Sequence, residues 1–228
     1  MEELKSEQNG QWDSIIKPKT GWFDIDLREI WTYRDLIKML VKRDFVTFYK
    51  QTILGPLWYI IQPLLTTVVF TIIFGRVAKI STDGLPPFLL YMSGNVLWSY
   101  FATTLNTTAE TFSTNAQVFG KVYFPRLTVP IATAIVNFLQ FFINFALFVA
   151  FYVYFFINGA PSSVNWTLIG LPVLLLQMAL LSFGFGILLS SLTTKYRDLR
   201  FALGFFVQLW MYATPVVYPL SEIPDWLL

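Results

Sequence analysis

The chain has 228 residues, of which 55% are hydrophobic, 18% aromatic and only 13% charged, against about 25% charged in an average soluble domain. Its net charge is +2, and it contains no histidine and no cysteine. That excludes His or Cys metal sites, a cysteine nucleophile, a Ser-His-Asp triad and any disulfide framework.

Residues 1–25 are mixed and polar, broken by Lys17-Pro18-Lys19 and Gly21, and read as an exposed N-terminal arm. Because the first stretch is polar and charged, no cleavable signal peptide is expected, and the membrane helices supply the targeting. Asp26-Leu27-Arg28-Glu29 has the form of a helix start, with an Asp N-cap and Glu three residues on. Beyond it Ile30, Tyr33, Ile37, Leu40, Val41 and Phe48 recur at helical spacing, opposite Arg34, Asp35, Lys38 and Lys42. Residues 26–50 therefore predict one amphipathic helix, of the kind that lies along a membrane surface. Its basic face is either simply solvated or a docking surface for a partner subunit.

Residues 51–228 read as a transmembrane domain. A first span is expected at about 54–75, opening on Gly55-Pro56-Leu57-Trp58-Tyr59 and carrying Pro63 inside it. After a loop with Arg76, Lys79, Asp83 and Gly84-Leu85-Pro86-Pro87, a second span is expected at about 88–109, ending in Glu110. Residues 111–127 are polar again. From Leu127 to Thr194 there is no Asp, Glu, Lys or Arg. About 20 apolar residues cross a bilayer, so this run holds two crossings, at about 128–157 and 167–192. The turn between them lies at Asn158-Gly159-Ala160-Pro161-Ser162-Ser163. Lys195, Arg197, Asp198 and Arg200 precede a fifth span at about 201–217. The expected fold is all-α and integral to the membrane, an N-terminal amphipathic helix followed by five transmembrane helices.

On that topology all 16 Lys and Arg residues fall on one side except Arg76 and Lys79. The bias makes that side, with the N-terminus, cytoplasmic.

No Gly-rich phosphate loop, dinucleotide fingerprint or metal-ligand cluster occurs, so any energised work would draw on another chain. Glu110 fits a solvated helix end, with a gating or interhelical role as the alternative. The lack of ionisable residues near mid-membrane argues against proton- or sodium-coupled transport. Phe138, Phe141, Phe142, Phe145, Phe148, Tyr152 and Phe155 recur along the third span, as helix packing and lipid contact require. Trp58 and Tyr59, Trp98 and Tyr100, and Trp210 and Tyr212 differ, since they are mixed with Gln62, Asn95 and Gln208. They are either interfacial belt residues or the lining of a wet pathway, where rings stack on sugar C–H faces and amides bond hydroxyls. Ser182, Gly184, Gly186 and Ser190 on the fourth span permit close helix approach.

The order of parts resembles a known family. Arg34-Asp35-Leu36-Ile37 and Lys42-Arg43-Asp44 lead into Leu54-Gly55-Pro56-Leu57-Trp58-Tyr59-Ile60-Ile61-Gln62-Pro63. Phe119-Gly120-Lys121-Val122-Tyr123-Phe124-Pro125-Arg126 then joins spans two and three. Lys195-Tyr196-Arg197-Asp198-Leu199-Arg200 precedes the fifth span, and Ala213-Thr214-Pro215-Val216-Val217-Tyr218-Pro219 closes it. Over residues 26–228 this resembles the membrane subunit of ABC-2-type exporters of lipid-linked polysaccharides, the O-antigen, capsule and teichoic-acid permeases.

The resemblance implies a homodimer in the bacterial inner membrane bound to two copies of a separate ATPase. ATP and magnesium would be held by that partner, with no cofactor on this chain and no nucleic acid involved. The substrate would be a sugar chain on undecaprenyl diphosphate. Arg34, Lys38 and Lys42, and the segment Gly120–Arg126 as a coupling helix with Lys121, Tyr123 and Arg126, would contact the ATPase. The first and fifth spans would line the channel, nominating Trp58, Tyr59, Gln62, Gln208, Trp210 and Tyr212. Residues 219–228 would begin outer re-entrant helices, and a sixth span is expected beyond Leu228. The competing readings are a drug or small-lipid exporter of the same fold and a non-transporting membrane scaffold. A membrane-bound glycosyltransferase would show an acidic cluster at an aqueous face, and the outer side carries only Asp83, Glu222 and Asp225.

Overall fold

A computed structural model describes residues 26–50, 53–120, 123–161, 169–196, 198–219 and 221. The N-terminal arm 1–25, Lys121, Arg197, Ser162-Ser163 of the expected turn and residues 222–228 lie outside the described residues.

Asp26 caps the first helix, as its position suggested. Its side chain accepts from the amides of Arg28 at 2.9 Å and Glu29 at 3.0 Å, satisfying two of the donors a helix start leaves open. The amphipathic segment is not one helix but two. Helix α1, Leu27–Thr32, closes at Tyr33, whose N–H bonds Ile30 O at 3.0 Å in a tightened last turn. Helix α2 resumes at Arg34–Tyr49. Its apolar face does not lie free on a membrane surface either. Leu40 packs with Phe124, Val129 and Ala132, flanked by Tyr33, Leu36, Ile37 and Val41. Leu36, Ile37, Leu40 and Val41 of α2 are thus claimed by the protein itself, while Met39 and the charged face are exposed.

A 3-10 turn at Gly55–Leu57 leads into α3, Trp58–Phe70. It passes without a break into a π-helical turn at Thr71–Val77, closed by Ala78 N to Ile73 O at 2.8 Å. Pro63 is accommodated inside α3. Its carbonyl receives the Thr67 hydroxyl at 2.8 Å and, at 3.5 Å, the amide of Asn95 from the next helix. Helix α4, Pro87–Thr114, starts on a proline, where a missing N–H costs nothing. Then come a short α5, Ala116–Phe119, and the long α6, Thr128–Ile157. Helix α6 ends at Asn158-Gly159. Gly159 sits at φ +81°, and Ala160 N returns to Phe155 O at 3.0 Å, a left-handed cap that glycine adopts without strain. Helix α7 is Leu171–Lys195 and α8 is Leu199–Ala213.

Trp58–Val77, α6 and α7 are, among the described residues, long and apolar enough to cross a membrane. At 28 residues α4 is also long enough, about 42 Å at 1.5 Å per residue. It is more polar because it is the hub. It contacts α3, α6, α7 and α8, so Thr104, Thr108 and Thr111 are buried among protein neighbours and not in lipid. Helix α8 is shorter than the expected 201–217. Thr214 leaves the helix with ψ 151°, because the residue before Pro215 is driven to extended backbone. The chain then turns back on α4, with Val217 only 2% exposed.

The small residues of α7 divide. Ser182, Gly186 and Ser190 are buried, whereas Gly184 faces open space. A Cβ built on Gly186 would sit 2.6 Å from Thr108 Cβ and 3.1 Å from Leu105 O, so α4 and α7 meet as closely as their backbones permit. A turn further on, the Thr193 hydroxyl bonds Ala109 O at 2.5 Å.

Candidate functional site

One cavity of about 470 Å³ opens between α3, α4, α6 and α8. Trp58, Tyr59, Gln62 and Gln208, four of the six expected pathway residues, line it. Their spacing explains the convergence. Trp58, Gln62 and Thr66 follow one another at i, i+4 and i+8 on one face of α3, and Phe70 extends the row. The lined stretch runs about 18 Å along the α3 axis at 1.5 Å per residue. Tyr59 is 4% exposed and stacks on Phe45 of α2, with ring centroids 5.9 Å apart at 12°. The cavity wall and the amphipathic helix therefore share a rigid contact.

The other two pathway candidates stand outside the lining. Trp210 backs the wall edge-on to Trp98 at 6.3 Å and to Phe101 at 5.6 Å. Tyr212 is 45% exposed, and its carbonyl accepts from Tyr218 Oη at 3.4 Å. Trp210 lies about 200° round α8 from Gln208 and so cannot share its face, whereas Tyr212 falls on that face one turn further along, beyond the lining.

From α4 come Asn95, Trp98, Ser99, Tyr100 and Thr103. Asn95 is anchored twice, donating to Pro63 O and accepting from the Ser99 hydroxyl at 3.3 Å. Helix α6 adds residues that the aromatic pattern of the third span hid: Asn137, Gln140 and Asn144, at i, i+3 and i+7. Asn137 donates to Thr107 Oγ1 at 2.8 Å. The Oδ1 of Asn144 is buried and has no hydrogen-bond partner among the described residues. Three amides on one face of a run that is otherwise apolar were a readable signal. Among the described residues the lining contains no charged side chain. Of the third-span rings, Phe141 lines the cavity and packs on Tyr100 at 5.1 Å. Phe145 and Phe148 continue the stack into the core.

The expected coupling residues gather at the other end of α2. Arg34, Lys38 and Lys42 are exposed along one face, four residues apart. Lys38 bonds Asp35 at 3.0 Å and so holds that carboxyl below the usual carboxylate range. Tyr123 is 55% exposed and Arg126 is exposed as well. Phe124 between them is 6% exposed and buried against Leu40. The two nominated surfaces are thus pinned together by one apolar cluster. The segment Gly120–Arg126 is not itself helical in its described part. The helix here is α5, which ends at Phe119 with Gly120 as its cap, and residues 123–125 are non-helical, Pro125 driving the residue before it to extended backbone. Glu110 lies a turn inside α4 and not at its end, and beside it Arg200 of α8 reaches across to the Ser113 hydroxyl.

Residues 35–228 match the family described as ABC-2 type transporter. The chain is 29% identical over 191 residues to an O-antigen export system permease protein RfbA of Klebsiella pneumoniae, covering 84% of this chain and 71% of that protein. It is 28% identical over 199 residues to the protein of the same name from Myxococcus xanthus, covering 87% and 74%.

Proposed function

The chain belongs to the ABC-2 type transporter family, and from that premise we propose that it is the permease subunit of an ATP-driven polysaccharide exporter. Its substrate is an O-antigen-like glycan on undecaprenyl diphosphate, moved outward across the bacterial inner membrane. The relatives are named as O-antigen export permeases, which supports the substrate class. The observation that carries the reading is the cavity, uncharged and lined by Trp58, Tyr59 and Trp98 together with amides. An acyl chain would offer the Gln140 and Asn144 amides no hydrogen-bond partner, which is unfavourable. A glycan offers C–H faces to the rings and hydroxyls to the amides.

Two permeases work with two copies of a separate ATPase, which holds ATP and magnesium. Arg34, Lys38 and Lys42, with Tyr123, Arg126 and Lys121, form the docking face, and the N-terminus is cytoplasmic, in line with the distribution of Lys and Arg. Movement of that face reaches the cavity through the Phe45–Tyr59 stack.

The test is ATP hydrolysis by the purified complex, comparing wild type with Tyr123→Ala and Arg126→Glu. Loss of permease-dependent hydrolysis in folded variants is the expected result. If no ATPase co-purifies and neither substitution has an effect, the exporter reading fails and a membrane scaffold takes its place.

A further inference from the structure

We infer that the α6 edge of the cavity, Gln140 and Asn144, is a subsite that reads the hydroxyls of uncharged sugar residues and turns away anionic ones. The inference rests on the exporter reading and adds to it a specificity element on a helix that composition assigned to packing.

Three observations lead there. Asn95 and Asn137 already hold protein groups, Pro63 O and Thr107 Oγ1. Gln140 and Asn144 continue the Asn137 row by one and two turns into the same space. There the Asn144 Oδ1 is buried and, among the described residues, unpartnered. A buried amide oxygen without a donor is costly unless a ligand or water supplies one; this oxygen is closed off from the cavity as it stands, and a rotation of the Asn144 side chain brings its carboxamide to a hydroxyl there. A carboxamide carries an acceptor and two donors, and a sugar hydroxyl is both, so the two fit in either sense.

The second half of the inference is exclusion. Among the described residues the lining contains no Lys, Arg, Asp or Glu. A uronate carboxylate or a diphosphate entering it would lose its hydration without gaining a counter-charge, which is far more costly than desolvating a hydroxyl. The volume of about 470 Å³ lies within the range of about 300–1,000 Å³ typical of small-molecule sites. A few sugar residues fill it, and the diphosphate end of the carrier must be held elsewhere.

The experiment uses the full-length chain in lipid nanodiscs and equilibrium dialysis of two labelled probes: mannotetraose, and a tetrasaccharide in which two residues are glucuronates. Saturable binding of mannotetraose is expected, weakened about ten-fold or more in Gln140→Leu and in Asn144→Leu, as loss of a hydrogen bond to a buried group implies. The conservative Gln140→Asn should retain part of the affinity. The glucuronate probe should not compete. Size-exclusion profiles identify any variant that fails to fold, and the two sites give independent chances to see the effect. Equal binding of both probes, unchanged affinity in both leucine variants, or no saturable binding by wild type overturns the inference. Permease-dependent ATP hydrolysis on the same preparations separates the two levels. If hydrolysis is coupled but the sugar result is negative, only the subsite is wrong; if coupling is absent too, the exporter reading falls with it.

Discussion

Gly186→Ala should separate the two most closely packed helices of the protein. The added Cβ would lie 2.6 Å from Thr108 Cβ, 2.9 Å from Thr108 Cγ2 and 3.1 Å from Leu105 O, whereas carbon atoms rest at about 3.5–4.0 Å. No rotamer of Thr108 relieves a clash with its own Cβ, so α4 and α7 must part by about 1 Å. Nearby, the Thr193 hydroxyl is bound to Ala109 O at 2.5 Å, and parting the helices stretches that bond as well. Overpacking of this kind costs about 1–3 kcal/mol, against which the better helix propensity of Ala returns about 1 kcal/mol at most. Gly184→Ala is the internal control, because nothing lies within 4 Å of its Cβ position. Thermal unfolding in detergent, followed by size-exclusion fluorescence, should rank Gly184→Ala at or above wild type and Gly186→Ala clearly below it. Thr108→Gly combined with Gly186→Ala removes the clash and should recover part of the loss. Equal stability of the two alanine variants would refute the close packing of α4 on α7.

Leu40→Ala empties a site that is 4% exposed among Phe124, Val129 and Ala132. It should cost about 2–5 kcal/mol and loosen α2 locally, seen as faster amide hydrogen exchange over residues 34–49. Phe45→Ala removes the stack on Tyr59, a contact worth about 0.5–1.5 kcal/mol beyond its buried area. ATPase binding should survive while transport per ATP hydrolysed falls, measured on the reconstituted complex. Ser221→Ala deletes the hydroxyl that donates to Asp83 at 2.9 Å. It should raise spin-label mobility at residue 219 and leave a label on α3 unchanged.

Much of this arrangement is legible in the residues themselves. The uncharged run from Leu127 to Thr194 holds α6 and all of α7 but its last residue, Lys195, and Asp26 marks the first helix start where its side chain does cap it. Trp58, Tyr59, Gln62 and Gln208 meet in one cavity because polar and aromatic residues in apolar helices need a common wet face. What stayed hidden depended on tertiary contacts. Tyr33 splits the amphipathic segment at a position that its periodicity runs straight through. The apolar face of α2 could equally have met lipid, and only the folded chain brings Phe124 and Val129 to it. Gly184 and Gly186 are alike in sequence, and which of them meets α4 is decided by the rotation of α7. The amides of α6 were readable at their spacing but were masked by the phenylalanines around them. The early end of α8 was written in Thr214-Pro215, and the expected span overran it.

Passage of the proposed glycan through the α3–α4–α6–α8 cavity can be tested directly, because the 228 residues contain no cysteine. Thr103→Cys places one thiol in the cavity lining, and Leu188→Cys places one on the outward apolar face of α7, where that leucine is 68% exposed. Labelling with a membrane-impermeant maleimide is then measured with and without the lipid-linked glycan and ATP. Thr103→Cys should be labelled in the resting complex and protected while glycan is being exported, with Leu188→Cys unlabelled throughout. Labelling of Thr103→Cys that is absent at rest, or indifferent to glycan and ATP, would contradict passage through the cavity.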